Sequence, residues 1–558
     1  MRSGSKKRHL GSAFSVGCLL GDAVGDGEGV VEAGARVVDV GLGLGRGAVE
    51  GPGSVAGWPP HAARSNSTGN HPRMRRRYAD AESDGPAGSV ALMSELHDLT
   101  ALEQGAALRA GEVSSAELVE HYLARIERYD EELGAFVTVT GERARKKSGS
   151  RPLGDGPLAG VPTAIKDLNA TKGVHSSFGS PVFADFVPDF DDEVVQRIEA
   201  AGMISLGKTS TPEFGSPCYT EPEGAPPAVT PWDTSRMAGG SSGGSASAVS
   251  GGLVPLAQGS DGGGSIRIPA SCCGIVGLKP TRGRISGAPL YGDPVGLATN
   301  GSLARTVRDA AALLDVMAGR AVGDPFWAPE EAASYLEACD RKPGRLRIGR
   351  FSEPVIADAS VDPECLAAWE DASRLLESLG HDVEDIEVPL PRDAVPVFET
   401  CWSVLTALSV VNLSDEKRSL LRPLTSWLAE RGMAESGPEF GLAIGELRRV
   451  AARTLAAVTA YDAVLTPTLA APPLPVGAIR NDDDPADDFE AQKRFTPYTS
   501  MWNVTGSPAI SLPTHYTPDG LPVGVMLAAR PGEEATLLSL AAQVEQQAPW
   551  LDRTPPYW

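Results

Sequence analysis

Residues 239–267 read GGSSGGSASAVSGGLVPLAQGSDGGGSIR, and how this stretch is understood decides the fold. Taken whole, its glycine and serine content is that of a flexible linker, since Gly/Ser tracts behave as random coil. The centre contradicts that. Residues 253–257, LVPLA, form a short apolar run between a glycine pair and Gly259-Ser260-Asp261, which suits a brief buried strand. Small residues on both sides of such a strand imply backbone brought close to a neighbour. Residues 262–265, GGGS, then set consecutive N–H groups in a tight turn, a donor nest of the kind that holds an anion. A serine closing such a turn is placed to act as a nucleophile beside its own oxyanion site.

The surrounding chain has room for that chemistry. At 558 residues it is long enough for two or more domains or one large α/β domain, and 42% hydrophobic with 22% charged residues is ordinary for a globular protein. A formal charge of −22 weighs against nucleic acid as the main partner, because phosphate binding requires clustered Lys and Arg. The seven cysteines (18, 218, 272, 273, 339, 365 and 401) show neither C-x-x-C nor zinc spacing, which fits a reducing compartment. No histidine pair has metal-ligand spacing, so no metal site is expected. No run approaches the roughly 18 apolar residues of a membrane span. Lys6-Lys7-Arg8 followed by 13–20, AFSVGCLL, invites a secretory-signal reading, but no A-x-A cleavage site follows. A cytoplasmic protein, with no membrane contact, is the expectation.

Residues 1–92 are Gly-rich, poor in large apolar residues and without sustained periodicity; they read as a disordered extension or as leader sequence ahead of Met93. Patterned sequence occupies 93–558. Ser114 and Glu117 make a capping box ahead of a helix whose apolar face is Leu118, Val119, Tyr122, Leu123 and Ile126, ending near Asp130. Residues 158–167, LAGVPTAIKD, read as a strand ending on a lysine and an aspartate. Alternation sends Lys166 and Asp167 to opposite faces, so Asp167 need not be the partner of Lys166. A helix over 191–201 and strands at 203–206 and 274–280 follow. Thr306 and Asp362 cap further helices, with Pro363 at the first helical position. Strands are expected at 346–349, 383–388, 464–468, 509–513 and 523–527, and a helix at 534–546. The alternation makes this an α/β protein, with parallel pairing wherever strand, helix and strand follow one another. Residues 390–450 are helical and irregular, and within a more divergent segment of about 320–455 they are the expected substrate-facing region.

Two motif matches fail on context. Residues 202–209, GMISLGKT, fit G-x-x-x-x-G-K-[ST], but a phosphate loop follows a strand and opens a helix, whereas this one follows a helix and contains a strand. Residues 239–243, GGSSG, fit G-x-S-x-G, the nucleophile elbow of a serine hydrolase, with His515 downstream. An elbow sits between a strand and a helix, yet 231–238, PWDTSRMA, has no strand pattern, and His515 reads as a turn residue.

A reading without histidine accounts for more of the chain. Residues 239–267 with 274–281 closely resemble the amidase signature family. The resemblance continues through 161–167, 207–209, 212–215, 461–468 and 503–510, covers roughly 93–558, and is thin between about 320 and 455. It implies the amidase-signature fold, a large twisted mixed β-sheet core surrounded by helices. It implies a Ser–Ser–Lys triad in which Ser265 is the nucleophile, Ser241 the bridging serine behind a cis peptide bond from Gly240, and Lys166 the base. It implies an oxyanion hole from the N–H groups of Gly262, Gly263, Gly264 and Ser265, braced by Asp261 and Arg267. No cofactor and no metal are implied. A free lysine, with a pKa of about 10.4, is useless as a base at neutral pH; burial away from carboxylates lowers it. Two departures from the family pattern are Met237-Ala238, where many relatives carry a proline, and Gly263 at the centre of the turn, where a bulkier residue is usual.

The function implied is a stand-alone amidase that hydrolyses a small-molecule carboxylic amide to acid and amine or ammonia through an acyl-enzyme. The glutaminase subunit of a tRNA-dependent amidotransferase shares the motifs, and the divergent segment and acidic charge favour the stand-alone enzyme. A catalytically dead binding protein is disfavoured because all three triad positions are filled. Relatives are often dimeric, so the resemblance admits a homodimer. Trp402, Trp427 and Trp502 are candidates for an acyl pocket, against the commoner role of tryptophan in a core.

Overall fold

A computed structural model of the chain describes residues 95–150, 154–331 and 333–558. The 1–92 extension, with the signal-like segment at 6–20 and Cys18, lies outside the described residues.

Among the described residues thirteen strands follow in chain order: β1 Phe136–Val139, β2 Pro162–Lys166, β3 Ile204–Thr209, β4 Val229–Thr230, β5 Asp233–Met237, β6 Leu256–Asp261, β7 Val276–Lys279, β8 Thr299–Ala304, β9 Arg347–Arg350, β10 Asp382–Asp385, β11 Ala463–Pro467, β12 Ala509–Tyr516 and β13 Pro522–Ala529. Eight of them form one mixed sheet in the order β10-β9-β11-β13-β12-β7-β8-β6. β9 pairs in parallel with β10 across the Pro363–Ser378 helix and with β11, and every other neighbour is antiparallel. Both faces are covered, so β13, in the middle of the sheet, is apolar along its whole length instead of alternating with polar residues. Val523, Val525 and Leu527 of β13 join the core that holds the helices Val307–Met317 and Glu534–Gln547. Met526 and Ala528 join the opposite core, under Gly437–Val458 and Met501–Thr505.

The opening stretch is neither linker nor loop. It holds a helix, Gly243–Ser250, in which every residue is buried, followed by β6. Small side chains permit this. A Cβ on Gly244 would lie 2.3 Å from the Ser210 nitrogen and 2.5 Å from the Ala135 oxygen. The serines carry their own hydrogen-bond partners inward: Ser245 donates to the Gln258 carbonyl at 2.9 Å, Ser247 to Val229 at 2.8 Å and Ser250 to Cys273 at 2.7 Å. Buried hydroxyls satisfied by backbone carbonyls cost little, which a solvated Gly/Ser tract would not require.

The strand expected at 253–257 lies further on, at Leu256–Asp261, because Pro255 has no N–H for the ladder and pairing begins after it. That shift carries Asp261 to the strand's last position. A three-stranded sheet, β1-β3-β2, stands beside β6. The Gln258 side chain joins the two: its Oε1 accepts the Lys166 N–H at 2.9 Å and its Nε2 donates to Asn169 Oδ1 and Asn300 Oδ1, each at 2.8 Å.

Three further expectations are corrected. A strand does precede Gly239: β5, paired with β4 in a two-stranded hairpin, whose mostly polar sequence DTSRM faces outward along most of its length and so hides its pattern. His515 is in β12 opposite Val523, the turn being confined to the residues beyond Tyr516. The helix beginning at Ser115 runs to Leu133 and closes on Gly134, past Asp130.

If the close approach at Gly244 holds the small sheet against the buried helix, Gly244→Ala destabilises the protein by at least about 2 kcal/mol in chemical denaturation. A change under about 0.5 kcal/mol would mean that the contact is slack.

Candidate active site

Lys166 is the last residue of β2 and its side chain is fully buried. Its Nζ donates to Ser241 Oγ at 2.7 Å and to Ser260 Oγ at 3.0 Å, with the Ser260 carbonyl at 3.4 Å. Among the described residues it forms no ion pair. Asp167 points the other way, as strand alternation requires, and pairs with Lys208 at 3.2 Å. Lys208 also donates to the Asn169 carbonyl at 2.6 Å and Ser176 Oγ at 3.1 Å. Lys208 is the lysine of the phosphate-loop look-alike, and it lies buried in β3, whose strand runs through residues 207–209.

Lys166 and Lys208, two of the three buried lysines among the described residues, therefore differ in kind. One has a carboxylate; the other has two hydroxyls. Burial pushes the Lys166 ammonium down to about 7, with more distant Asp261 opposing the shift.

Ser241 follows a cis peptide bond from Gly240. Beyond it the buried helix begins, and the Ser242 N–H donates to the Ser265 carbonyl at 3.0 Å, fastening the two ends of the stretch together. Ser265 closes the turn after β6. The turn is organised by Asp261, whose carboxylate accepts from the Gly264 N–H at 2.8 Å and the Ile266 N–H at 3.1 Å. Arg267 donates to it through Nε at 3.0 Å and Nη2 at 2.9 Å, and Asn503 Nδ2 at 2.8 Å. The remaining Arg267 donors go to the Thr499 carbonyl and Asn503 Oδ1, each at 2.8 Å, and to the Met526 sulfur at 3.3 Å. Burial alone would raise the Asp261 carboxyl, but the Arg267 guanidinium outweighs it and holds the group well below the usual range.

The Gly264 N–H is thus committed to Asp261, which corrects its assignment as an oxyanion donor. Its φ of +137° and a virtual Cβ 2.4 Å from Thr499 Oγ1 still require glycine there. The N–H groups of Gly262, Gly263 and Ser265 have no acceptor among the described residues and are free to receive an anion.

Ser241, Ser260, Gly262 and Ser265 line one lobe of a cleft, of about 690 Å³. A second lobe, of about 760 Å³, also opens on Ser265. The Ala394–Val410 helix runs along both, so part of the divergent segment faces the cleft. Trp402 and Ser216 line both lobes, and the Trp402 Nε1 donates to Ser216 Oγ at 3.3 Å. The Trp402 ring comes within 3.5 Å of where a Cβ on Gly262 would lie and 3.9 Å of one on Gly263. The indole, from another element, thereby borders the space beside the unusual Gly263. Trp427 packs on Phe489, behind that lobe, and Trp502 is core. His515 bonds Glu364 at 3.1 Å and faces Asp371, not a serine.

Sequence reasoning missed Gln258, Ser260 and Asn503 as supports of this site. It also missed that Glu95, His97 and His121, the two histidines 24 residues apart, bring ligand-type atoms within 4.8 Å of one another away from the cleft. The His97 and His121 rings meet at 3.1 Å as a hydrogen-bonded pair. The six described cysteines are free and buried. No described helix is long and apolar enough to cross a membrane.

Comparison with known proteins places this mixed-sheet fold among amide-hydrolysing enzymes. The model of the Amidase family matches residues 117–538. The 6-aminohexanoate-cyclic-dimer hydrolase of Paenarthrobacter ureafaciens is 38% identical over 479 residues, covering 82% of this chain and 96% of that protein. The solved structure of a 6-aminohexanoate cyclic dimer hydrolase superposes with a TM-score of 0.78 at 35% identity, covering 83% of this chain and all of that one. A bacterial aryl acylamidase of the amidase signature family gives 0.73 at 26% identity, over 82% of this chain and 98% of that one. The chain belongs to the amidase signature family and is a hydrolase of amide C–N bonds.

Breaking the buried Asp261–Arg267 pair leaves a charge without its partner. Arg267→Met should lose about 3–5 kcal/mol of stability in denaturant titration, with Asp261→Asn/Arg267→Met recovering part of it. A loss under about 1 kcal/mol in the single variant would show that the turn does not depend on the pair.

Proposed function

We propose that the protein hydrolyses a carboxylic amide through an acyl-enzyme on Ser265, with Ser241 and Lys166 as the proton relay. The observation that carries this is the burial of Lys166 with serine hydroxyls and no carboxylate as partners, 2.7 Å from Ser241 Oγ. A lysine in that setting is neutral for much of its time near pH 7 and accepts a proton.

Ser265 Oγ attacks the amide carbonyl as its proton passes to Ser241 Oγ, and the Ser241 proton passes to Lys166 Nζ. The carbonyl oxygen gains the charge and is received by the N–H groups of Gly262, Gly263 and Ser265, fixed before the reaction by the Asp261 network. When the C–N bond breaks, the relay runs backwards and Ser241 gives the departing nitrogen its proton. Water then attacks the acyl-enzyme with the same relay as base, releasing the acid and restoring Ser265.

Ser260 Oγ, as a second hydroxyl on Lys166, keeps the amine aimed at Ser241 while adding no charge that would fix its proton. The enzyme so described needs no metal, cofactor, nucleic acid or partner subunit. The cyclic amide named in its relatives belongs in a substrate panel beside linear aliphatic and aryl amides.

Ser265→Ala should abolish release of amine or ammonia, and Lys166→Ala should slow it about 100- to 10,000-fold, with circular dichroism unchanged. Retention of most activity by Ser265→Ala would refute the assignment. The sign of the pH dependence follows from the neutral lysine: kcat/KM should fall as pH drops through about 7, where Lys166 takes up a proton. A rate flat from pH 5 to about 9 would mean that no such base operates. Glutamine hydrolysis only inside a heteromer, coupled to tRNA, would favour the amidotransferase alternative.

A further inference from the structure

The two lobes at Ser265 are chemically unequal. The 690 Å³ lobe contains Ser241. The 760 Å³ lobe does not; its walls are apolar around Ile268, Phe398, Trp402, Phe489 and Val504. On the mechanism proposed above, the departing nitrogen must lie beside Ser241 to receive its proton. The amine half of the substrate therefore occupies the Ser241 lobe, and the acyl arm extends into the apolar one.

Only two charged residues line that apolar lobe, Glu399 and Lys493, and they are paired at 2.6 Å. Glu399 stands one helical turn from Trp402 on the same face of the Ala394–Val410 helix, about 4.5 Å along its axis. Lys493 is also bonded to Glu490 at 2.5 Å, and Glu399 to Arg431 at 3.3 Å. Two anions and two cations make a neutral cluster. A charged group entering the lobe would leave water without finding net opposite charge, and the cost of that is large. A neutral group with both a donor and an acceptor can bond to Glu399 and Lys493 together and lose nothing.

We propose that the lobe selects amides whose acyl arm is apolar and ends in an uncharged polar group, such as a second amide, held by the Glu399–Lys493 pair. Glu399 and Lys493 are specificity-determining residues on this account. Trp402, fastened to Ser216 and stacked on Phe398 with centroids 5.6 Å apart, is the wall that keeps the arm in its lobe.

Four primary amides with one acyl length test this: hexanamide, adipamide, adipamate (the monoamide with a free carboxylate) and 6-aminohexanamide, with propionamide as a short-armed reference. Wild-type kcat/KM, from ammonia release and corrected for the two equivalent amides of adipamide, should be about fivefold higher for adipamide than for hexanamide. It should be about tenfold higher for adipamide than for either charged amide.

Glu399→Gln leaves the cluster net positive, and Lys493→Met leaves it net negative. The adipamate to 6-aminohexanamide ratio should therefore rise about tenfold in the first variant and fall about tenfold in the second. This ratio is independent of the fraction of each variant that folds, and the wild-type ranking stands without the variants. Turnover of propionamide by the wild type, with charged arms equal to or better than adipamide, or a ratio unmoved by both substitutions, would overturn the inference while leaving the amidase mechanism intact. Failure of the wild type on all five amides would count against the mechanism itself, and this inference with it.

Discussion

Taking a lysine side chain out of water without a carboxylate beside it works against the charged form, and much of this fold is arranged so that Lys166 endures that. Its strand ends at the edge of the small sheet, where the Gln258 side chain accepts the Lys166 N–H that no neighbouring strand can. Its nearest acid, Asp167, is turned to the opposite face and occupied by Lys208. The other nearby acid, Asp261, is committed to Arg267 and Asn503. What is left for Nζ is a pair of serine hydroxyls. The fold leaves Lys166 in this setting by committing Asp167 and Asp261 to other partners, and the relay proposed for it needs a base of this sort.

The second constraint is closeness. Ser241 and Ser265 are 24 positions apart, and the chain between them forms a helix and a strand packed so tightly that only Gly, Ala and Ser fit for most of the helix. The Ser242 N–H to Ser265 carbonyl bond closes this segment into a loop, so the two serines share one lobe of the cleft. The Asp261–Arg267 pair then freezes the turn that carries Ser265. Buried away from water, the pair holds the Gly264 and Ile266 N–H groups in place, and the oxyanion role proposed for the remaining N–H groups of the turn rests on that rigidity.

Much of this was legible in the sequence, for identifiable reasons. Ser265, Ser241 and Lys166 are marked by glycines and by neighbouring motifs arriving in order, and the Asp261–Arg267 brace lies within the same stretch. Asp167 was separable from Lys166 by strand alternation alone. What failed to show is long-range or carried by side chains. Gln258 replaces a ladder bond that sequence patterns count as backbone. The Gly264 N–H was counted as free because its acceptor is a carboxylate, not a ligand. β5 was missed because polar DTSRM faces outward on a hairpin. Of three tryptophans offered for the pocket, only Trp402 lines it, since the side it faces depends on helix packing that no local pattern encodes.

The account stands on the charge state of one amine. Nuclear magnetic resonance of protein labelled with 13C at the lysine ε-carbons, with Lys166 identified by its absence in Lys166→Met, measures that state directly. A titration midpoint for Lys166 near 7 is the predicted result. A midpoint near 10, where an ordinary lysine ionises, would contradict the neutral base and the relay built on it.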